Sequence, residues 1–87
     1  MERKVIINDR EWIDMPKGTF IYDGLMYRIA KLKYFSNRCV YMINTKGKAV
    51  KICNGFDTIF STKRAFEKLY KETNMDAKKV LAFIESK

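Results

Sequence analysis

The chain has 87 residues, a formal net charge of +8 and no histidine, with 47% hydrophobic and 14% aromatic residues. This length makes one domain over 1–87, and the apolar content suffices for one modest core and excludes wholesale disorder. Without histidine there are no Ser-His or Cys-His nucleophile pairs, and two cysteines alone cannot complete a common four-ligand zinc site.

In chain order, Val5-Ile6-Ile7 within Lys4–Asn8 reads as a short strand, and Asn8-Asp9 as a turn. Glu11–Met15 fits a second strand or a short helical turn, and Pro16-Lys17-Gly18 breaks the chain. Asp23-Gly24 lies between apolar segments, a hairpin signal because both central turn residues need positive φ. The strand after it can run from Leu25 to about Phe35, and Ser36-Asn37-Arg38 is a polar connection. Cys39–Asn44 and Lys48–Cys53 flank Thr45-Lys46-Gly47, a three-residue loop suited to a type I turn with a G1 bulge. Pairing Asn44 with Lys48 sets Met42 opposite Val50 and Val40 opposite Ile52 on a core face. The other face then carries Tyr41 opposite Lys51, and Cys39 lies opposite Cys53. Asn54-Gly55 is another turn, and Phe56–Phe60 fits either a strand or a connection. Ser61 or Thr62 can cap a helix through about Thr73, with a stripe of Ala65, Phe66, Leu69 and Tyr70. Asp76 can cap a last helix carrying Ala77, Val80, Leu81 and Ile84. The expected fold is α+β: an antiparallel sheet of four to six short strands, with hairpins at Asp23-Gly24 and Thr45-Lys46-Gly47, followed by two C-terminal helices.

The charge is unevenly distributed. Residues 1–30 are net neutral, residues 31–64 carry net +7, and residues 65–87 carry net +1. The cations of the middle third are Lys31, Lys33, Arg38, Lys46, Lys48, Lys51, Lys63 and Arg64, interleaved with Tyr34 and Tyr41. A sheet with Lys and Tyr on an open face can neutralise phosphates and stack bases. Lysine on exposed strands also guards a sheet edge, but +7 exceeds what edge protection needs. Lys63 and Arg64, placed in the first turn of the helix, oppose its macrodipole, either a small cost tolerated at an exposed site or one that a bound anion would offset.

The remaining features carry less chemistry. Cys39 and Cys53 fit either a cross-strand disulfide or two reduced, buried thiols. Asp9, Glu11, Asp14 and Asp23 cluster early without ligand spacing, so no metal, cofactor or catalytic group is expected. Trp12 is expected in the core. The N-terminus lacks an apolar signal-like stretch, and runs such as Val80–Ile84 are too short to span a membrane, so a cytoplasmic location is expected.

Two resemblances are visible. Gly47-Lys48, Gly55-Phe56-Asp57-Thr58 and a following helix with Ala65 and Tyr70 make Met26–Tyr70 look like the three-strand-plus-helix modules of AP2-like and phage integrase N-terminal DNA-binding domains. In that family the sheet contacts DNA. Lys17-Gly18-Thr19-Phe20 followed by Tyr22–Ile29 resembles the first hairpin of SH3-like barrels. Neither likeness transfers functional residues.

The sequence therefore reads as a small, basic, non-enzymatic accessory or regulatory protein that binds the phosphate backbone of DNA or RNA through the ten residues named above. Lysine predominates over arginine among them, which favours point-charge contacts over bidentate base reading. The alternative is a small inhibitor or adaptor, of the kind phages and mobile elements encode, that docks on an acidic protein surface. A continuous basic groove favours nucleic acid, whereas a basic rim around exposed Trp12, Phe20 or Phe35 favours a protein.

Overall fold

The computed structural model describes residues 2–87, and its elements follow from local turn chemistry. Strands β1 (Lys4–Ile7) and β2 (Arg10–Asp14) are joined by Asn8-Asp9, whose φ values of 51° and 62° suit a two-residue turn. Strands β3 (Phe20–Tyr22) and β4 (Leu25–Leu32) are joined by Asp23-Gly24 at 50° and 80°. Glu11–Met15 thus resolves in favour of a strand. The Pro16–Gly18 break is a single 3₁₀ turn, and it lets β2 and β3 pair with successive halves of β4. Gly18 is required there because a Cβ would lie 2.8 Å from that of Ile29.

Strand β4 ends at Leu32, short of the expected Phe35, and a turn leads to β5 (Arg38–Ile43) and β6 (Ala49–Asn54). The sheet order is β1-β2-β4-β5-β6, with β3 also on β4, and all pairings are antiparallel. Helices α1 (Ile59–Glu72) and α2 (Ala77–Glu85) complete the α+β fold. The β5–β6 hairpin turns as expected, with Gly47 at φ 81° and the Asn44 N–H donating to Lys48 O at 2.9 Å.

The register holds from Ile43–Ala49 through Tyr41–Lys51 and then shifts at a bulge. Ile52 is the extra residue, so Val40 pairs with Cys53, and Cys39 with Asn54. The expected Val40–Ile52 and Cys39–Cys53 pairs are therefore incorrect. Cys39 belongs to one core and Cys53 to the other, and both thiols are free.

Both faces of the sheet are covered. Tyr27, Ile29, Val40, Met42, Val50 and Cys53 pack beneath Phe66 and Tyr70 of α1 and Val80 and Ile84 of α2. On the opposite face the sheet curls on itself, bringing β1 towards β6 and enclosing Ile7, Trp12, Ala30, Cys39 and Tyr41. Of the expected helix stripes, Phe66, Tyr70, Val80 and Ile84 are buried, while Leu69 and Leu81 remain well exposed. Among the described residues no helix is long and apolar enough to cross a membrane.

Candidate nucleic-acid interface

Arg38 opens β5 and ties two loops together. Its backbone N–H donates to Phe56 O at 3.0 Å, and its carbonyl accepts from Gly55 N–H at 2.7 Å. Its guanidinium Nη1 donates to Ser36 O at 2.7 Å and also to Asp57 O. The β4–β5 loop and the β6–α1 loop are thus held within about two hydrogen-bond lengths of each other.

Gly55 lets the second loop close. A Cβ there would lie 2.4 Å from Thr62 Cγ2, so only glycine admits this approach. Thr62, fully buried, accepts from Phe56 N–H at 3.1 Å and donates to Thr58 O at 2.7 Å. Thr58 then caps α1, accepting from Ser61 N–H at 2.9 Å, while Ser61 Oγ accepts from Thr58 N–H. The helix therefore starts at Ile59, earlier than a Ser61 or Thr62 cap implies. Lys63 and Arg64 consequently lie in its second turn, and the expected conflict with the macrodipole does not arise.

The clamped loops and the first turn of α1 present four aromatic rings to solvent: Tyr34 (82% exposed), Phe35 (60%), Phe56 (60%) and Phe60 (69%). Burying one phenylalanine is worth about 1.5–3 kcal/mol, so leaving three of them out forfeits a large stabilisation for a chain this small. Cations accompany the rings. Lys33 Nζ lies 5.4 Å from the Tyr34 centroid, and Arg64 Cζ lies 5.6 Å from that of Phe60. An open groove runs from Phe56 and Phe60 along α1 past Lys63, Arg64 and Lys68 to Lys71, with Glu67 its one acidic lining residue. Phe60 to Lys71 spans about 16 Å at 1.5 Å per residue. Lys31 and Arg38 face each other across β4 and β5, where like charges destabilise. Among the described residues the only ion pair is Lys4 with Glu11, at 3.3 Å, and Glu11 lines a shallow pocket together with Arg10, Leu32, Lys33, Tyr34 and Phe35.

Of the residues expected to bind, Lys31, Lys33, Tyr34 and Arg38 gather at the β4–β5 loop end, while Lys63 and Arg64 lie on α1, with Lys63 Nζ 5.1 Å from the Phe20 ring centroid. Lys31 Nζ caps carbonyls of its own turn, at Leu32 and Lys33, and Arg38 acts as the clamp. The other expected residues lie elsewhere. Lys46 and Lys48 sit at the opposite end of β5, about 17 Å away along the strand. There they donate to Glu85 O and Lys87 O at the end of α2, where the helix dipole favours cations. Lys51 bonds Asn54 Oδ1 at 2.8 Å. Tyr41 is not a stacking residue: it is 2% exposed, and its hydroxyl donates to Asp14 Oδ1 at 2.7 Å. Burial and then that hydrogen bond push its pKa upward.

The early carboxylates disperse. Glu11 pairs with Lys4, Asp14 binds Tyr41, and Asp23 accepts from Tyr70. Among the described residues no group of three or more His, Cys, Asp or Glu side chains could hold a metal ion. Trp12 is buried and Phe20 half-buried against Tyr27 and Phe66, so Phe35 alone of the three rim aromatics is well exposed.

Phe56, Phe60, Lys68 and Lys71 escaped sequence reasoning. Phe60 lies well off the Thr62–Phe66–Tyr70 face of a 3.6-residue helix, and placing the cap at Thr58 would have revealed it. Lys68 and Lys71 were hidden because the last third of the chain is nearly neutral overall.

Compared with protein-family models, curated proteins and solved structures, the chain matches none of them. Strands β4–β6 followed by α1 do reproduce a three-strand-plus-helix order. The sheet face turned away from the helices, however, is filled by Trp12, Tyr41 and their neighbours, so it cannot serve as an AP2-like reading surface.

Proposed function

We propose that this protein is a nucleic-acid-binding accessory or regulatory module that holds a phosphate backbone along the groove of α1 and the adjoining loop pair. The observation that carries this reading is the line of Lys63, Arg64, Lys68 and Lys71 along one open side of α1, with Lys33 as a fifth cation on the clamped β4–β5 loop. A continuous stripe matches a backbone of regularly spaced charges better than a single acidic patch. Lys46 and Lys48 fall outside this surface, and Arg38 contributes structure.

The test is fluorescence anisotropy of labelled DNA and RNA across a salt series. Five phosphate contacts give a slope of log K against log salt of about −3.5 for a single strand and about −4.5 for a duplex. Lys68→Gln and Lys71→Gln each reduce the slope by somewhat under one, while Lys46→Gln leaves it unchanged. Failure to bind any nucleic acid at low salt refutes the proposal.

A second reading, docking on an acidic protein surface, draws on Phe35, Phe56 and Phe60, whose rings lack polar atoms and sit among cations as an interface anchor does. It gains ground only if nucleic-acid binding fails.

A further inference from the structure

We propose that the nucleic acid held here is single-stranded, its unpaired bases stacking on Tyr34, Phe35, Phe56 and Phe60; this rests on the nucleic-acid reading above. Three of the rings come from two loops that one guanidinium ties together, and Phe60 lies in the first turn of the helix that follows the second loop, so the four share one end of the molecule. A duplex offers that end little. Its base faces are stacked away, and its edges are read by polar forks such as Arg, Asn or Gln deep in a groove. Phenylalanine has no hydrogen bond to give an edge. An unpaired base presents the π-face that an exposed ring can use, and stacking accepts any base.

Charge supports the same occupant. Tyr34 and Phe60 each carry a cation within 6 Å of the ring centroid, Lys33 and Arg64 respectively. A base stacked on the open side of either ring brings its own phosphate near a positive group. The line of cations along α1 continues from Phe60, so a strand anchored by its bases at the loops can run its backbone towards Lys71. The carboxylate in that line, Glu67, is half-buried.

The experiment compares anisotropy of a labelled oligothymidylate and a mixed-sequence RNA of about 12 nucleotides, a length within the span of small single-strand modules, with a duplex of equal length. The wild type is expected to bind the single strands more tightly than the duplex at the same salt. Phe56→Ala, Phe60→Ala and Tyr34→Ala are expected to weaken single-strand binding about 5- to 150-fold each while leaving the salt slope unchanged. Phe60→Trp is expected to retain binding, with its indole fluorescence quenched on addition of oligonucleotide. These rings are exposed, so each variant is expected to fold, and circular dichroism checks that it does. Duplex binding as tight as single-strand binding, or alanine variants within twofold of wild type, would overturn the inference while leaving the nucleic-acid reading intact. Binding of neither form overturns both.

Discussion

Replacing Gly55 by alanine tests how the β6–α1 loop is built. The backbone at Gly55 is not left-handed, so alanine meets no φ penalty, in contrast to Gly47 at φ 81°. The cost is contact alone. The new Cβ would lie 2.4 Å from Thr62 Cγ2, 2.5 Å from its Oγ1 and 2.9 Å from its Cβ. Thr62 is β-branched, fully buried and hydrogen-bonded to both Phe56 N–H and Thr58 O, so it cannot swing aside freely. Overpacking costs about 1–3 kcal/mol, and orphaning the Phe56 N–H about 1–3 kcal/mol more. The reduced freedom of the unfolded chain returns under about 1 kcal/mol. A net loss of about 1–5 kcal/mol lowers the Tm of a domain this size by roughly 4–40 °C. Thermal and urea unfolding measure it. Adding Thr62→Ala removes the two closest contacts, so the double variant is expected to be more stable than the two single losses combined would make it. Gly55→Ala within about 0.5 kcal/mol of wild type would refute the reasoning, since that is the scatter of neutral surface changes.

Three further outcomes follow from other contacts. Asn44 is buried, donates to Ile84 O and accepts from Lys46 N–H and Lys48 N–H, each at 3.0 Å. Asn44→Ala is expected to cost about 2–4 kcal/mol in urea unfolding, because it strands these groups. Glu85 accepts hydrogen bonds from the Thr45 hydroxyl and N–H, which hold its carboxyl below the usual glutamate value. Its contribution is present above the unfolded-state pKa and lost as pH falls through the folded one, so Glu85→Gln should flatten the acid limb of stability against pH. Burial pushes the Cys39 thiol up to about 12 and Cys53 up to about 11. Both should resist a thiol reagent at pH 8 in the folded protein and react promptly in urea, whereas rapid labelling of native protein would contradict their burial.

Local chemistry was the most legible part of the sequence. Asn8-Asp9, Asp23-Gly24 and Thr45-Lys46-Gly47 announced their turns, because positive φ restricts the residues that can stand there. Asp76 announced the second helix, accepting from Lys79 N–H at 2.9 Å. The bulge at Ile52 was not legible, because alternation alone does not say where an extra residue enters, and it moved Cys53 to the opposite face from Cys39. Nor was the curl of the sheet, a tertiary event that turned an apparently open face carrying Tyr41 into a second core. The net +7 of the middle third located real surface charge but could not show that β5 carries Lys46 and Lys48 away from Lys33. The aromatic and basic cluster at the loop end joins residues far apart in sequence through Arg38, a side chain expected as a phosphate contact that in the fold holds two loops together.

The most direct test of the binding surface is an amide chemical-shift titration of the folded protein with a short single-stranded oligonucleotide. Shift changes and broadening concentrated at Lys33–Asn37, at Phe56 and along α1 from Phe60 to Lys71, with Thr45–Lys48 and the end of α2 unmoved, are the predicted result. Changes centred on Lys46, Lys48 and the C-terminus of α2, or no changes at low salt, would contradict the account.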